Sequence, residues 1–309
     1  MKLNFIKTNP SGNTTILVDS AVPEKEQSVV AKRLLAYDSV QAEQVGFLTI
    51  PDDTTDYNIA LRMMGGEFCG NATRSAAVYT VFSGLLRPNE GGLYLPTVRC
   101  SGAANPIPCT VKETNHEATY WAEAQMPGPE SVEAGTVPFL SDEIKYTKVV
   151  FEGITHFIIE YKDLPIGGNG APISPRTVYA IVKDDLFNGD AAAYGIMFYN
   201  ELQKTLDPVV YVKATDSTYW EQSCASGSSA VAAAHAIHDH EYDRFFHWYS
   251  LLSRIFLNFN IFYYIFPADT TEFSLNDRSE RSPQQLQRVR VRQRVDAGEV
   301  HVRIIDGLQ

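Results

Sequence analysis

Residues 65–79 read GGEFCGNATRSAAVY, and residues 220–237 read WEQSCASGSSAVAAAHAI. Each stretch places one cysteine, Cys69 or Cys224, directly before a run of small residues that leads into an apolar segment. This pattern is typical of a helix that begins at the cysteine and enters the protein core. The echo between the two stretches indicates an internal repeat, in which each half of the chain contributes one cysteine at the start of one buried helix.

The start of a helix is a suitable place for an anion and for a reactive thiol. It presents unpaired backbone N–H groups and a partial positive charge. Small residues there let an anion approach the backbone closely. We expect a cysteine at this place to have a stabilised thiolate and a pKa lowered towards neutrality. Two such helix ends facing each other would hold one carboxylate, with a thiol on each face of the neighbouring carbon.

This arrangement is suited to moving a proton at the α-carbon of an amino acid. The Cα–H group is a very weak acid, so its removal needs a positioned base and donors for the charge that develops on the carboxylate. One thiolate would take the proton, and the other thiol would return one to the opposite face. The pattern therefore predicts a racemase or epimerase with Cys69 and Cys224 as acid and base, for which no metal or carbonyl cofactor is required. From spacing alone, the alternative of two buried packing cysteines stays open.

The composition is that of a globular protein with room for one large domain or two of ordinary size. Of its 309 residues, 44% are hydrophobic and 20% are charged. The chain has 26 Lys and Arg against 37 Asp and Glu, a formal net charge of −11. This balance argues against a nucleic acid or an anionic membrane as the main partner. It says nothing positive about the substrate; a small-molecule amino-acid substrate is expected from the paired cysteines instead.

Cysteine usage favours a reducing compartment. Cys69, Cys100, Cys109 and Cys224 are widely spread, and no CxxC pair or Cys/His cluster indicates a zinc site or a disulfide framework. Residues 1–18 lack the apolar run of an export signal. We therefore predict free thiols and a cytoplasmic protein. Cys100 and Cys109 have strand-like surroundings and are expected to be packing residues.

Hydrophobic periodicity predicts a mixed α/β chain. A hairpin is expected within residues 2–18, around a turn at Asn9–Asn13. The best boundary is Met126–Pro129, which predicts an N-terminal domain of residues 1–126 and a C-terminal domain of residues 127–309. Helices are expected at 24–37, after Cys69, at 175–183 and at 230–237, and strands at 44–50, 58–63, 97–111, 118–125, 147–151, 156–161, 195–200 and 209–213.

Four sequence blocks resemble the diaminopimelate epimerase superfamily, and most closely its histidine racemases from opine-type metallophore pathways. They are NPSGNTTILV (9–18), EQVGF (43–47), EFCGNAT (67–73) and WEQSCASG (220–227), and their order and spacing fit as far as the alanine-rich segment. The resemblance implies an α/β fold of two pseudo-symmetric domains. Each would be a sheet wrapped around a central helix, with the active site in the cleft between them. A homodimer would suit the family.

The resemblance also implies roles for individual positions. The two cysteines would be the acid/base pair, and backbone N–H groups at the two helix starts would bind the substrate carboxylate. Glu43 lies in the block shared with the histidine-specific branch, so it is a candidate for contacting the substrate side chain, although a solvated strand-end carboxylate is the alternative. The implied catalytic residues are Cys69 and Cys224, and the implied substrate-binding residues are Asn13, Glu43, Gly70, Asn71, Glu221, Ala225 and Ser226.

Two departures from diaminopimelate epimerases favour a different substrate. Those enzymes have an arginine where this chain has Gln222 and an asparagine where it has Ile154. Losing a bidentate cation weakens the case for a substrate with a second carboxylate. We therefore predict histidine as substrate, with D-histidine supplying metallophore biosynthesis. Diaminopimelate epimerase, a more remote proline-type racemase and an inactive relative that acts as a binding protein are the alternatives.

The C-terminal part departs from the family. Residues 245–266 read FFHWYSLLSRIFLNFNIFYYIF, which nothing in the family matches. Arg254, Asn258 and Asn260 make this run a poor membrane span. We predict an atypical insertion at about residues 241–287, which is either a partner-binding or membrane-surface segment or non-native sequence. Residues 289–305 then resemble the family's near-terminal strand pair, and the family's last strands are expected to be missing.

Overall fold

The computed structural model describes residues 2–52, 56–168, 170–238, 273–274, 294–296 and 299–301. The chain divides into two compact units. The larger unit spans Leu3–Thr271, and the smaller one combines Met1–Lys2 with Glu272–Gln309. In the smaller unit, Arg294–Asp296 pairs antiparallel with Glu299–His301, at the place where the sequence predicts a near-terminal strand pair.

The helices are α1 (Glu24–Leu35), α2 (Gly70–Phe82), α3 (Pro175–Leu186) and α4 (Ala225–His238), with short 3-10 helices at Tyr161–Asp163 and Lys213–Thr215. The strands are β1 (Lys2–Leu3), β2 (Phe5–Thr8), β3 (Thr15–Val18), β4 (Gln44–Thr49), β5 (Ile59–Met63), β6 (Thr97–Cys100), β7 (Ile107–Glu113), β8 (Tyr120–Ala124), β9 (Ser131–Phe139), β10 (Asp142–Phe151), β11 (Ile154–Glu160), β12 (Ala193–Asn200), β13 (Thr205–Val212), β14 (Ser217–Trp220), β15 (Phe273–Ser274), β16 (Arg294–Asp296) and β17 (Glu299–His301).

The first half of the larger unit is a sheet that encloses α2. In the described residues its strands run in the order β2-β3-β4-β5-β6-β7-β8. Helix α2 contacts β3 through β8, and all its residues from Gly70 to Val81 are buried. A helix without a solvent-facing side has to be surrounded by other elements. Its many small residues let the strands approach closely, so the sheet curls around it.

The second half repeats this design around α4. Within the described residues its strands run in the order β14-β13-β12-β11-β10-β9. Helix α4 contacts β9 through β12. The predicted α/β fold, with one sheet wrapped around a central helix in each half, is therefore confirmed. Helix α3 covers a second core on the same sheet, in which Val178, Val182 and Leu186 pack with sheet residues.

Most predicted elements are present, with shifted ends. The N-terminal hairpin is confirmed, since β2 and β3 pair antiparallel from Phe5–Val18 to Thr8–Thr15. Helix α4 begins at Ala225, five residues earlier than predicted. Its first turn is stabilised by the hydroxyl of Ser228, which donates to the Cys224 carbonyl at 2.9 Å. The predicted strand at 97–111 is two strands, β6 and β7.

Two strands of the second sheet escaped prediction, and both are edge strands. They are β9 and β14, which lie at opposite edges of the second sheet. An edge strand packs on fewer neighbours, so it tolerates charges, glycine and proline that obscure an alternating pattern. Strand β9 has Glu133, Gly135 and Pro138 in its sequence.

Other predictions concern the ends of the two halves. The first sheet ends with β8 at Ala124 and the second begins with β9 at Ser131, so Met126–Pro129 lies in the connection between them. The domain limits themselves stay a prediction. The predicted insertion at 241–287 and the predicted missing last strands lie outside the described residues, apart from β15. No helix of the described residues is long and apolar enough to cross a membrane.

Gly102 fixes the backbone that leads into Cys69. It has φ +66°, and a Cβ added there would lie 2.3 Å from the backbone nitrogen of Phe68. We expect Gly102→Ala to reduce the free energy of unfolding by about 3 kcal/mol or more, because strain and steric overlap add. The matched control is Gly84→Ala, at φ +73° with open space around it, which should cost roughly 1 to 2 kcal/mol. Urea denaturation measures both, and equal losses would contradict the proposed close contact.

Candidate active site

Cys69 caps the start of α2. Its backbone is extended (φ −135°, ψ 111°), and its sulfur accepts a hydrogen bond from the Ala72 N–H at 3.4 Å. The thiol also donates to Oε1 of Gln44 at 3.1 Å. The cap forms because a small polar side chain can satisfy an N–H group that the first helical turn leaves unpaired. The sequence-predicted position of Cys69 at a helix start is therefore confirmed.

Cys224 has the same position at α4. Its sulfur accepts from the Gly227 N–H at 3.4 Å and lies 3.6 Å from the hydroxyl oxygen of Ser226. A Cβ on Gly227 would lie 3.2 Å from this sulfur and 2.2 Å from the sulfur of Met197. The small residue at position 227 therefore makes room for the thiol.

The two helix starts meet. A Cβ added to Gly70 would lie 2.8 Å from the Cβ of Ala225 and 2.8 Å from the sulfur of Met126. Both cysteines, together with the first residues of both helices, line one cleft between the two sheets. The residues lining this cleft are Glu43, Gln44, Met64, Glu67, Phe68, Cys69, Gly70, Asn71, Ile154, Val210, Val212, Tyr219, Glu221, Cys224, Ala225 and Ser226.

The structure brings the sequence-predicted site residues together. Every one of them except Asn13 lines the cleft. Asn13 is fully buried directly behind it, where its Nδ2 donates to Oε2 of Glu43 at 2.9 Å. Their roles in binding and catalysis stay predictions, but their positions agree with one common site.

Gln44 connects the two halves and was not predicted as a site residue. Its Oε1 accepts from the Cys69 thiol, and its Nε2 donates to Oε1 of Glu221 at 3.2 Å. Gln44 stands next to Glu43 in a block that carries the family resemblance, so the signal was in the sequence. Its bridging position depends on contacts across 177 residues of chain, which no local pattern reveals.

His156 is a second residue that sequence reasoning missed. It is fully buried on β11, and its Nε2 lies 2.9 Å from the hydroxyl oxygen of Ser226, which in turn lies 3.6 Å from the sulfur of Cys224. Burial lowers the pKa of His156 to about 3, so the ring is neutral at ordinary pH. A neutral imidazole can donate to or accept from Ser226, depending on its tautomer. His156 thus orients the hydroxyl group beside Cys224.

The expected lowering of the cysteine pKa values is wrong. Burial raises the pKa of Cys69 well above its ordinary value, and the nearby Glu221 carboxyl raises it further, although the Ala72 N–H opposes this. Burial likewise raises the pKa of Cys224, again with Glu221 acting in the same direction and Ser226 and the Gly227 N–H against it. Desolvation of a thiolate outweighs the field of one helix start. Both groups are thiols unless a positive charge enters the cleft.

The carboxyl groups of the cleft also favour their neutral form. Burial raises the pKa of Glu67 to about 7, although N–H groups of Glu67 and Gly65 and the charge of Arg62 oppose this. Burial raises the pKa of Glu221 to about 8 and also raises that of Glu43. None of the residues that line the cleft in the described chain is lysine or arginine. A cationic group that entered the cleft would favour the ionised form of these carboxyls and could pair with them.

The remaining cysteines lie outside the cleft lining. Cys100 and Cys109 are free, buried and part of the core around α2, as expected for packing residues. Among the described residues, no three His, Cys, Asp or Glu side chains are grouped so that they could hold a metal ion.

Comparison with known proteins places the chain near amino-acid racemases. Residues 2–244 match the family described as "Histidine racemase CntK N-terminal domain". A histidine racemase from Fusobacterium nucleatum subsp. nucleatum is 34% identical over 230 residues, which cover 74% of this chain and 80% of that protein. A histidine racemase from Staphylococcus aureus is 31% identical over 231 residues, 74% of this chain and 78% of that protein.

Solved structures share the fold at low sequence identity. A probable proline racemase from Agrobacterium radiobacter, with bound carbonate, has a TM-score of 0.56 and 14% identity and covers 77% of this chain and 78% of its own. A hydroxyproline epimerase from Agrobacterium vitis, with bound trans-4-hydroxy-L-proline, has a TM-score of 0.55 and 12% identity with the same coverage. The two-domain fold is thus one on which racemases and epimerases are built.

Glu67→Gln should change how stability depends on pH. Because the folded protein raises the pKa of Glu67 from 4.5 to about 7, the neutral carboxyl contributes stability below pH 4.5 that is lost as pH rises through 7. Glutamine keeps the neutral form at every pH. The free energy of unfolding of Glu67→Gln minus that of the wild type should therefore rise by about 3 kcal/mol between pH 4 and pH 8. Denaturant unfolding at both pH values measures this difference, with the exposed Glu90→Gln as control. An equal difference at both pH values would rule out a buried, proton-binding Glu67.

Proposed function

From its membership of the histidine racemase family, which makes this chain an amino-acid racemase and thus an isomerase, we propose that it interconverts L- and D-histidine by two-base proton transfer. The observation that carries the proposal is the pair of thiols at two helix starts that touch. Cys69 and Cys224 cap α2 and α4, and the first residues of these helices, Gly70 and Ala225, are in contact.

The contact of the helix starts supports a substrate carboxylate bound between them. Both helices direct unpaired backbone N–H groups and a partial positive charge to the same point. An anion held by the N–H groups of Gly70 and Asn71 on one side and Ala225 and Ser226 on the other replaces the missing partners. The α-carbon attached to that carboxylate then lies between the two caps.

The proton transfer follows from this placement. One cysteine, as thiolate, removes the Cα proton and becomes a thiol. The negative charge that develops spreads into the carboxylate, where the N–H groups of both helices stabilise it. The other cysteine, as thiol, donates its proton to the opposite face and becomes a thiolate. The α-carbon is inverted, and the two cysteines have exchanged protonation states. Exchange with solvent restores the starting form.

The substrate itself helps to form the thiolate. Burial alone keeps both cysteines protonated, so a positive charge is needed beside them. The ammonium group of an amino acid provides that charge, and beside it the carboxyl groups of Glu43, Glu67 and Glu221 would ionise and pair with it. Binding and activation are thereby coupled, since the thiolate is favoured when a substrate is present.

The same carboxyl groups support histidine over a substrate with a second carboxylate. A distal carboxylate would be buried in a cleft whose described lining has no lysine or arginine to pair with it, at a high desolvation cost. An imidazole ring fits better, because it can pair with a carboxylate through its N–H and pack on apolar residues. Ile154, Val210 and Val212 line the cleft and provide such a surface.

Further parts of the proposal rest on the family resemblance. They are a reducing, cytoplasmic location, a homodimer, and supply of D-histidine to metallophore biosynthesis. The four free cysteines support the reducing location. The resemblance also supports two domains, of residues 1–126 and 127–309, with an atypical insertion at 241–287.

Cys69→Ala and Cys224→Ala should each abolish racemisation. Removing either base leaves one face of the α-carbon without a proton donor or acceptor, so kcat/KM should fall on the order of a thousandfold or more. Chiral chromatography of L-histidine incubated with each variant, without added pyridoxal phosphate, measures the loss. The matched control is Cys109→Ala, a buried cysteine outside the cleft, which should keep wild-type turnover. A wild-type rate in either catalytic variant would disprove the two-base assignment.

The substrate prediction is tested by a panel in the same assay. We expect turnover of histidine and none of diaminopimelate, whose distal carboxylate meets the acidic cleft without a cation. Turnover of diaminopimelate but not of histidine would reassign the enzyme as a diaminopimelate epimerase. No turnover of histidine, of diaminopimelate or of the other amino acids would contradict catalysis and favour a binding protein.

A further inference from the structure

Arg74 places a buried charge beside the site without lining the cleft. It lies on α2 five residues after Cys69 and is 2% exposed. Its Nη2 donates a hydrogen bond to the Oδ1 of Asn71, which lines the cleft at the helix start. A buried arginine costs considerable desolvation energy, which its polar contacts have to offset.

The guanidinium group fixes the orientation of the Asn71 amide. Arginine has N–H donors and no acceptor, so the atom of Asn71 that faces it has to be the oxygen. The amide nitrogen of Asn71 therefore points the other way. There it donates to Oδ1 of Asn13 at 3.2 Å and to the backbone carbonyl of Ser223, in the other half, at 3.1 Å.

The orientation of the Asn71 amide in turn determines the orientation of the Asn13 amide. Because the oxygen of Asn13 accepts from Asn71, its nitrogen is left to donate. It donates to Oε2 of Glu43 at 2.9 Å, and Asn13 also hydrogen-bonds the carboxyl of Glu221. The chain of donors thus runs from a group that can only donate to two carboxyl groups that accept when ionised.

We propose that Arg74 is a positioning residue that sets the direction of this hydrogen-bond chain and so aims N–H donors at Glu43 and Glu221. The Ser223 carbonyl also holds the nitrogen of Asn71, so an apolar residue at position 74 removes one of two partners that fix this amide and makes a half-turn of both amides less unfavourable. The oxygen of Asn13 would then face Glu43, which could hydrogen-bond only in its protonated form. The inference rests on the proposed function for its effect on turnover, whereas its effect on Glu43 can be measured without turnover.

Glu43 has other neighbours that affect its charge. The carboxyl of Glu221 and the hydroxyl of Tyr219 interact with it electrostatically, and the Thr14 backbone N–H donates to it. Glu67, Cys69 and Cys224 share the cleft. Burial raises the pKa of the Cys109 thiol, and the charge of Arg74 opposes this. All these neighbours remain in an Arg74 variant, so a change in Glu43 has to come from Arg74.

Arg74→Met should raise the titration midpoint of Glu43 by about one pH unit, the effect of losing one hydrogen bond to an ionised carboxylate. The measurement is a pH titration of ¹³C-labelled glutamate carboxyls by NMR, with the Glu43 signal assigned by its absence in Glu43→Gln. Val78→Ala is the matched control, because it creates a buried defect one turn further along α2 and leaves the hydrogen-bond chain intact. It should not move the midpoint. If Arg74→Met does not fold, Arg74→Gln is titrated; its amide can either donate to Asn71 or accept from it, so it should shift the midpoint in the same direction but by less.

Asn71→Leu distinguishes the effect of the hydrogen-bond chain on Glu43 from the effect of the Arg74 charge. It cuts the chain between Arg74 and Asn13 while the guanidinium stays. We expect a shift similar to that of Arg74→Met, and no larger shift in the double variant. An unchanged midpoint in a folded Arg74 variant, or additive shifts in the double variant, would overturn the proposal. Absence of racemisation in the wild type would refute the proposed function alone.

Discussion

The close approach of two helix starts is the constraint on which the rest of this structure depends. Gly70 and Ala225 can touch only because neither has a large side chain. Two partial positive charges repel each other, and an anion between them would relieve this repulsion. The enclosing sheets hold the helix ends together against that repulsion, and the cysteines cap them. The geometry of the fold is therefore suited to the proposed carboxylate site, with a thiol on each side.

Burial strengthens the hydrogen bonds of this site and also makes formation of a thiolate more costly. Excluding water strengthens the N–H donors that stabilise charge on the carboxylate. The same exclusion penalises the thiolates and raises the pKa of both cysteines. The surrounding polar groups limit this penalty. Gln44 joins Cys69 to Glu221, and Ser226 connects Cys224 to the neutral ring of His156. In the proposed mechanism, the positive charge of the substrate ammonium group offsets the rest of this penalty.

How far the sequence predicts this structure depends on how local each feature is. The helix starts at Cys69 and Cys224 could be predicted, because small residues before an apolar run are a local signal. Strands β9 and β14 could not, since an edge strand does not need the alternation that reveals a central one. The direction of the cysteine pKa shift was also missed. It depends on how completely two distant halves enclose the thiols, whereas the helix field that suggested the opposite shift is a local effect.

The polar network was the least predictable part. His156 reads as an ordinary residue of an apolar strand, and nothing nearby in sequence marks its contact with Ser226, 70 residues away. Arg74 reads as one polar residue near the start of a helix. Only its burial and its contact with Asn71 reveal that it can orient Asn13 and, through it, Glu43. Such roles arise from donor and acceptor chemistry in three dimensions.

In the proposed mechanism, two different thiols serve the two faces of the α-carbon. Isotope incorporation in ²H₂O during the first turnovers of L-histidine tests this directly. Because the donating thiol has exchanged its proton for solvent deuterium, we expect the D-histidine formed to contain deuterium at Cα while the remaining L-histidine still contains protium. Protium retained in the D-product, carried across by one base, would show that a single base serves both faces.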